Sequence, residues 1–307
     1  MTSPTTPAAA RTWRSLTRSR EWLHAWLLLL PALVFLFAFT HIPAITTFWN
    51  SFFSTPRGRR PARFIGVENY ERMMSDPVFW KVLGNNLWFA LGTIPVSVAL
   101  AIVMALWVND KLTGRAFVRM AYFTPTVLPL IAVANIWLFF YTPGFGLIDQ
   151  VTGSLFGWPQ TNWLGDPSTA LNAVIVVTVW KEAGFFMIFY LAALQAIPPS
   201  LVEAAKIEGA GRFTIFRRIT FPLMMPTTLF VCVNAVINSF RLVDHIFILT
   251  DGGPDNASAL LLFYIYETAF KFWETAYGAT LTVALLVLLS ALAIGQFFLF
   301  DRKVHYK

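Results

Sequence analysis

Charge is scarce in this chain of 307 residues: Asp, Glu, Lys and Arg together make up only 13% of it, about half the usual share of a soluble domain. Apolar residues make up 57%, and the two figures together exclude a soluble globular domain. Cysteine is almost absent. The single Cys232 forbids an intrachain disulfide, and a lone thiol inside an apolar run packs like a small hydrophobe. His24, His41, His245 and His305 are scattered without metal-ligand spacing, so no metal site is expected. No Gly-x4-Gly-Lys-Ser/Thr loop occurs, so the chain cannot hold ATP in a P-loop. No catalytic constellation and no cofactor site is expected.

What the chain has instead is long apolar runs. Segments near 25–48, 82–108, 117–141, 170–192, 222–249 and 277–300 are long enough to cross a bilayer. The expected architecture is therefore all-α and polytopic, a bundle of six transmembrane helices over 25–300. Residues 1–24 read as a disordered basic cytoplasmic tail and 301–307 as a cytoplasmic C-terminus. The first run is too long for a cleaved signal peptide and reads as a retained helix. Pro95, Pro125 and Pro129 lie inside spans, where each removes a backbone hydrogen bond. Such breaks fit a helix lining a cavity or a packing kink.

The net charge of +7 belongs to orientation rather than to nucleic-acid binding. With the N-terminus inside, the basic residues of the tail, Lys111, Arg115, Arg119, Lys206, Arg212, Arg217, Arg218, Arg302, Lys303 and Lys307 all fall on the cytoplasmic side, as loop charge requires. Both termini are then cytoplasmic. One segment breaks the rule: Arg57, Arg59, Arg60 and Arg63 fall in the first outer loop.

Between the fourth and fifth runs lies a polar loop, 196–221. Pro198 and Pro199 end the preceding helix, and Ser200 with Glu203 makes a Ser-x-x-Glu capping-box pattern for a short one. Ala204 and Ala205 keep a face slim, and Gly209 and Gly211 permit a turn before Arg212, Arg217 and Arg218. Glu203, Ala204, Ala205, Gly209, Ile219 and Pro222 match the Glu-Ala-Ala-x3-Gly-x9-Ile-x-Leu-Pro signature, with Phe221 in place of its Leu. The chain thus resembles the permease subunits of bacterial ABC importers, of the carbohydrate type, with a fold like that of the methionine permease MetI. The likeness extends through Phe64-Ile65-Gly66-Val67-Glu68-Asn69-Tyr70, Leu112-Thr113-Gly114-Arg115, Thr250-Asp251-Gly252-Gly253-Pro254, Ile265-Tyr266 with Ala269-Phe270, and Val304-His305-Tyr306, in the MalF-like and UgpA-like order.

Two runs carry more polar groups than the rest. Asn234, Asn238, Arg241 and His245 are spaced by four, three and four, which predicts one helical face. Asp244 lies within pairing reach of Arg241. Trp180, Lys181 and Glu182 lie in the fourth run, with Phe185 a turn beyond. A charge in hydrocarbon is costly, so these groups are expected to face the bundle interior or an aqueous path. Interfacial snorkelling for Lys181, an ion pair for Arg241 and interhelical hydrogen bonds for the two asparagines fit equally.

The resemblance implies that Trp180, Glu182 and Phe185 are substrate contacts, joined by Asn238, Ser239 and Arg241. It also implies a homologous second permease, a cytoplasmic ATP-binding subunit dimer that grips the Glu203–Gly211 helix, and an extracytoplasmic solute-binding protein. The expected role is import of a sugar, oligosaccharide or polyol across the bacterial inner membrane, with ATP hydrolysed by the separate subunit. Arg241 and Lys181 would suit glycerol 3-phosphate or a glycerophosphodiester instead. An ion-driven secondary transporter would need internal repeats, and none is evident. A membrane glycosyltransferase would need an acidic cluster, where the outer loops offer only scattered Asp149, Asp166, Asp251 and Asp255.

Overall fold

A computed structural model of the chain describes residues 9–109 and 114–301. Lys111, the Leu112-Thr113 pair, the basic residues from Arg302 onward and Val304-His305-Tyr306 lie outside the described residues. The helices run in the order α1 (Ala9–Leu36), α2 (Ile42–Asn50), α3 (Glu68–Ser75), α4 (Pro77–Asn109), α5 (Arg115–Val127), α6 (Leu130–Phe140), α7 (Leu147–Phe156) and α8 (Ala170–Ala196). They continue as α9 (Pro199–Ile207), α10 (Arg212–Ile215), α11 (Phe221–Leu223), α12 (Met225–Arg241), α13 (Asp244–Leu249), α14 (Leu261–Tyr266) and α15 (Thr275–Asp301). Helix α1 begins inside the stretch expected to be a disordered tail, so residues 9–24 are helical. Ala9, Ala10 and Leu16 are good helix formers and no Pro or Gly interrupts this stretch.

Four helical segments, Trp22–Asn50, Pro77–Asn109, Ala170–Ala196 and Thr275–Phe298, are long and apolar enough to cross a membrane unaided. Two more spans exist if each bent pair counts as one: α5 with α6, bent by 100°, and Arg212–Leu223 with α12, bent by 68°. The sequence locates the causes of both bends. Pro129 forces Leu128 into extended backbone (φ −70°, ψ 136°), because a residue before proline is driven out of the helical region. Pro226 has no N–H to continue the ladder across the break at Met224. Pro95, by contrast, lies inside an unbroken α4.

Helices α4 and α8 form the centre, with α5 and α12 packed against them and α15 against α12. Gly184 on α8 is what allows α5 so close: a Cβ there would collide with the Tyr122 carbonyl. Two apolar clusters fill the interior. One, toward the end of the bundle that carries α3 and α14, contains Phe89, Val174, Val177, Phe240, Phe263 and Tyr277. The other, toward the α9 end, contains Ala101, Phe186, Tyr190, Met224 and Val231.

The α3 end is locked by polar contacts. Asp76 Oδ2 accepts hydrogen bonds from the Tyr264 and Tyr277 hydroxyls, both at 2.6 Å. Burial pushes the Asp76 carboxyl upward, but the two phenols and the Val78 and Phe79 amides together outweigh it and hold it below the ordinary value of 3.8. Lys81 reaches the Asp255 carboxylate at 2.9 Å and also its carbonyl. The start of the second span is thereby tied to α14 and to the last span at one end.

Candidate functional site

At the opposite end, α9 stands on the surface. The capping box expected from Ser200 and Glu203 does not form: α9 starts at Pro199, its N-cap is Pro198, and no side chain caps it. Proline is pre-organised for the first helical position, so the helix begins earlier than the Ser-x-x-Glu pattern suggests and Ser200 falls inside it. The C-terminus is closed by backbone alone. Gly209 N–H donates to Lys206 O at 3.0 Å and Ala210 N–H to Ala205 O at 2.9 Å, the paired bonds of a Schellman cap. Gly209 sits at φ +82°, a conformation that a residue with a Cβ adopts only at a cost. Of the six signature residues, Glu203, Ala204, Gly209 and Pro222 are exposed, Ile219 is half-buried and Ala205 is buried within this chain. Ala205 is therefore a packing residue of α9, and Ala204 with Ile207 forms its free surface.

Between the two apolar clusters lies a polar layer. Thr93 and Ser97 of α4, Thr178 and Glu182 of α8, and Asn238 and Ser239 of α12 enclose a void of about 10 Å³, about the space of one water. Glu182 is buried (9% exposed), and its Oε2 accepts a 2.9 Å hydrogen bond from Asn238 Nδ2. The Ser239 hydroxyl donates to Val236 O at 2.8 Å. Thr178 Oγ1 lies 3.3 Å from His245 Nε2. Glu182, Asn238 and Ser239 are thus brought together in one layer. Trp180, Phe185 and Arg241 are not part of this layer.

Trp180 is half-exposed, its ring edge-on to Trp137 with centroids 5.7 Å apart. Phe185 packs against Phe189, which meets Phe230 of α12, both pairs at 5.2 Å. The expected polar stripe is broken, because α12 ends at Arg241 and Leu242 is extended (ψ 113°). His245 therefore belongs to α13, fully buried against Phe89, and not to the face of Asn238. Asn234 donates to Phe230 O of its own helix at 2.8 Å and links no other. Arg241 and Asp244 are both exposed and form no ion pair within 4.0 Å among the described residues.

Lys181 has a different task from the one its composition suggests. Its ammonium donates to the carbonyls of Pro125 at 2.9 Å, Leu128 at 2.6 Å and Thr126 at 3.4 Å. These acceptors flank the break between α5 and α6, where helical hydrogen bonding stops. A backbone break in apolar surroundings is tolerated only if its polar groups find partners, and Lys181 supplies three bonds at once. Asn86 was missed by the sequence reading. Fully buried on α4, it donates to Ser239 O at 3.1 Å and accepts from Leu261 N–H at 3.0 Å. Its signal was present: an amide in the middle of an apolar run seeks interhelical partners.

A surface helix at one end and a buried polar layer at mid-span suit a membrane protein that works with other subunits. Residues 97–306 match the family model described as binding-protein-dependent transport system inner membrane component, and the chain belongs to that family. It is a multi-pass ABC permease. Similar proteins include a probable ABC transporter permease, YurN, of Bacillus subtilis, 34% identical over 88% of this chain and 94% of that one. The trehalose/maltose transport system permease MalF of Thermococcus litoralis is 32% identical over 90% and 92%. A bacterial alginate ABC transporter, solved in complex with an alginate pentasaccharide-bound periplasmic protein, matches with a TM-score of 0.82 at 22% identity, covering 95% of this chain and 98% of the other. At that identity the likeness concerns the fold.

Proposed function

We propose that this chain is one transmembrane half of an ATP-driven importer of a sugar, oligosaccharide or polyol. The observation that carries the reading is α9, a short, backbone-capped helix held out at one end with Ala204 and Ile207 uncovered. Its proposed partner is a cytoplasmic ATP-binding subunit dimer, which hydrolyses the ATP. A homologous second permease completes the pathway, since the polar layer of this chain encloses no space for a sugar. A solute-binding protein delivers cargo at the opposite end, so both termini lie in the cytoplasm.

The trehalose/maltose relative supports a carbohydrate cargo. Trp180 offers an aromatic face, and the Glu182–Asn238 pair offers hydroxyl partners once the halves separate. A second reading has its own observation. Arg241 is exposed and, among the described residues, without a carboxylate partner, which suits glycerol 3-phosphate or a glycerophosphodiester. Lys181 no longer argues for an anion, being occupied by carbonyls.

Uptake by vesicles holding the reconstituted transporter decides between them. A labelled neutral disaccharide should be taken up, with a loss of tenfold or so when Trp180→Ala removes the stacking surface, and Arg241→Gln should leave uptake within about twofold. Uptake of labelled glycerol 3-phosphate, abolished by Arg241→Gln, would replace the neutral cargo with the anionic one.

A further inference from the structure

The arginines that break the charge pattern of the loops sit in a built cleft. Residues 51–67 fold back as a hairpin: Phe53 pairs with Phe64, and Arg57 with Arg60. Ser54 N–H donates to Arg63 O at 2.8 Å and Ile65 N–H to Phe52 O at 2.9 Å. Asn69 pins the base of the hairpin through Ser51 O and Phe53 O, each at 2.9 Å. The hairpin also touches the start of α15, where Thr55 Oγ1 accepts from Ala276 N–H at 3.2 Å. Together with α3 these elements enclose a cleft of about 630 Å³ lined by Arg57, Arg60, Arg63, Arg72 and Glu274, with Tyr277 at its wall.

The charges in the cleft do not balance. Glu274 is its only carboxylate, and both its oxygens are engaged, by Arg72 at 2.6 Å and by Arg57 at 3.5 Å. Among the described residues, Arg60 and Arg63 have no carboxylate within 4.0 Å. They line the cleft from two positions of a hydrogen-bonded hairpin, whose backbone fixes where both are anchored. Guanidinium groups so placed select a phosphate, which they bind in two-pronged fashion.

The place of the cleft says which phosphate. It lies where α2 ends and α15 begins, at the ends of two membrane-crossing segments. Phe48, Trp49, Phe64, Phe272 and Trp273 are exposed around it. Aromatic rings at span ends mark the headgroup level of a bilayer, where exposed guanidinium groups meet lipid phosphates.

We propose that this cleft binds the headgroup phosphodiester of an anionic glycerophospholipid. Arg60 and Arg63 grip the phosphate, while the Arg72–Glu274–Arg57 bridge sets the width of the cleft. The bound lipid fastens the first span to the last from the lipid side. The proposal does not depend on the cargo or on which leaflet this end faces.

Native mass spectrometry of the full-length chain in neutral detergent tests it, with phosphatidylglycerol, phosphatidylcholine and inorganic phosphate as probes. Phosphatidylglycerol should be retained in preference to phosphatidylcholine. Each of Arg60→Gln and Arg63→Gln should weaken it by roughly fivefold, and the pair by roughly 25-fold. Arg59→Gln, which makes the same charge change beside the cleft but does not line it, should leave retention unchanged and controls for net charge. Elution volume on gel filtration checks folding, and either single variant suffices if the double one fails. Equal retention of the two lipids, full retention by the variants, or equal loss with Arg59→Gln would overturn the proposal. So would displacement of the lipid by millimolar inorganic phosphate, which would point to a soluble phosphate as the occupant.

Discussion

Asn238 of α12 and Glu182 of α8 are joined by a 2.9 Å hydrogen bond within the polar layer that separates the two apolar clusters. Thr228, Asn234 and Ser239 instead donate to backbone carbonyls of α12 or of Met224, which caps it. The pair is thus a side-chain link between α12 and α8, beside the one that Asn86 of α4 makes to Ser239 O.

Asn238→Ala should destabilise the chain by ~1–3 kcal/mol, the cost of leaving a buried carboxyl without its donor. The exchange Glu182→Gln with Asn238→Asp restores one donor and one acceptor and should recover most of the loss. Thermal unfolding in detergent measures both. Failure of the exchange to improve on Asn238→Ala would mean that the bond itself contributes little.

Lys181→Met should lower the unfolding temperature because three carbonyls at the α5–α6 break lose their donor, at ~1–3 kcal/mol for each one left buried. Transporters that remain folded should show unchanged cargo selectivity. A change of selectivity without loss of stability would return Lys181 to the substrate path.

The composition and the apolar runs were enough to read an all-helical chain with six crossings, and the loop between the fourth and fifth was legible from its prolines and glycines. Residues such as Glu182 and Asn238 were legible as well, because polar groups in apolar runs must find each other. The break at Leu242 was not. No Pro or Gly marks it, and the chain turns there because α13 packs on α6, a tertiary effect that helical spacing cannot register. Arg241 and His245 were assigned to one face for that reason. Lys181 was misread because its partners are backbone carbonyls, which leave no trace in residue identities.

At the surface loop, Ala204→Trp should prevent the ATP-binding subunits from co-purifying while the chain still folds, since Ala204 is exposed. Ala205→Trp should instead reduce expression, because Ala205 is buried (7% exposed) and overpacking costs ~1–3 kcal/mol. Gly209→Val should strain the left-handed cap by ~1–2 kcal/mol and lower transport more than expression. Co-purification that survives Ala204→Trp would show that this face docks nothing.

The Asp76 cluster carries a pH dependence. Its folded pKa lies below 3.8, so the unfolded chain takes up the proton first as acid is added. The carboxylate's contribution is therefore complete above the ordinary value and fades as pH falls through the depressed one. Asp76→Asn should lower the melting temperature near neutral pH, with the gap to wild type closing only as pH falls below the ordinary carboxylate value of 3.8. A gap that stays constant over that range would assign the effect to packing rather than to charge.

The first crossing, Trp22–Asn50, buries nothing of itself in the hydrophobic window of this chain. Yet at its end Ser51 is fully enclosed, its carbonyl taken by Asn69 and Thr280 and its hydroxyl 2.7 Å from that of Tyr70. The result is a boom fixed at one end, by the enclosure of Ser51 and the packing of α2 on α15, with the rest of its length bare of neighbours from this chain. Whatever covers that bare length can change without repacking the interior, because none of the hydrophobic window is buried there.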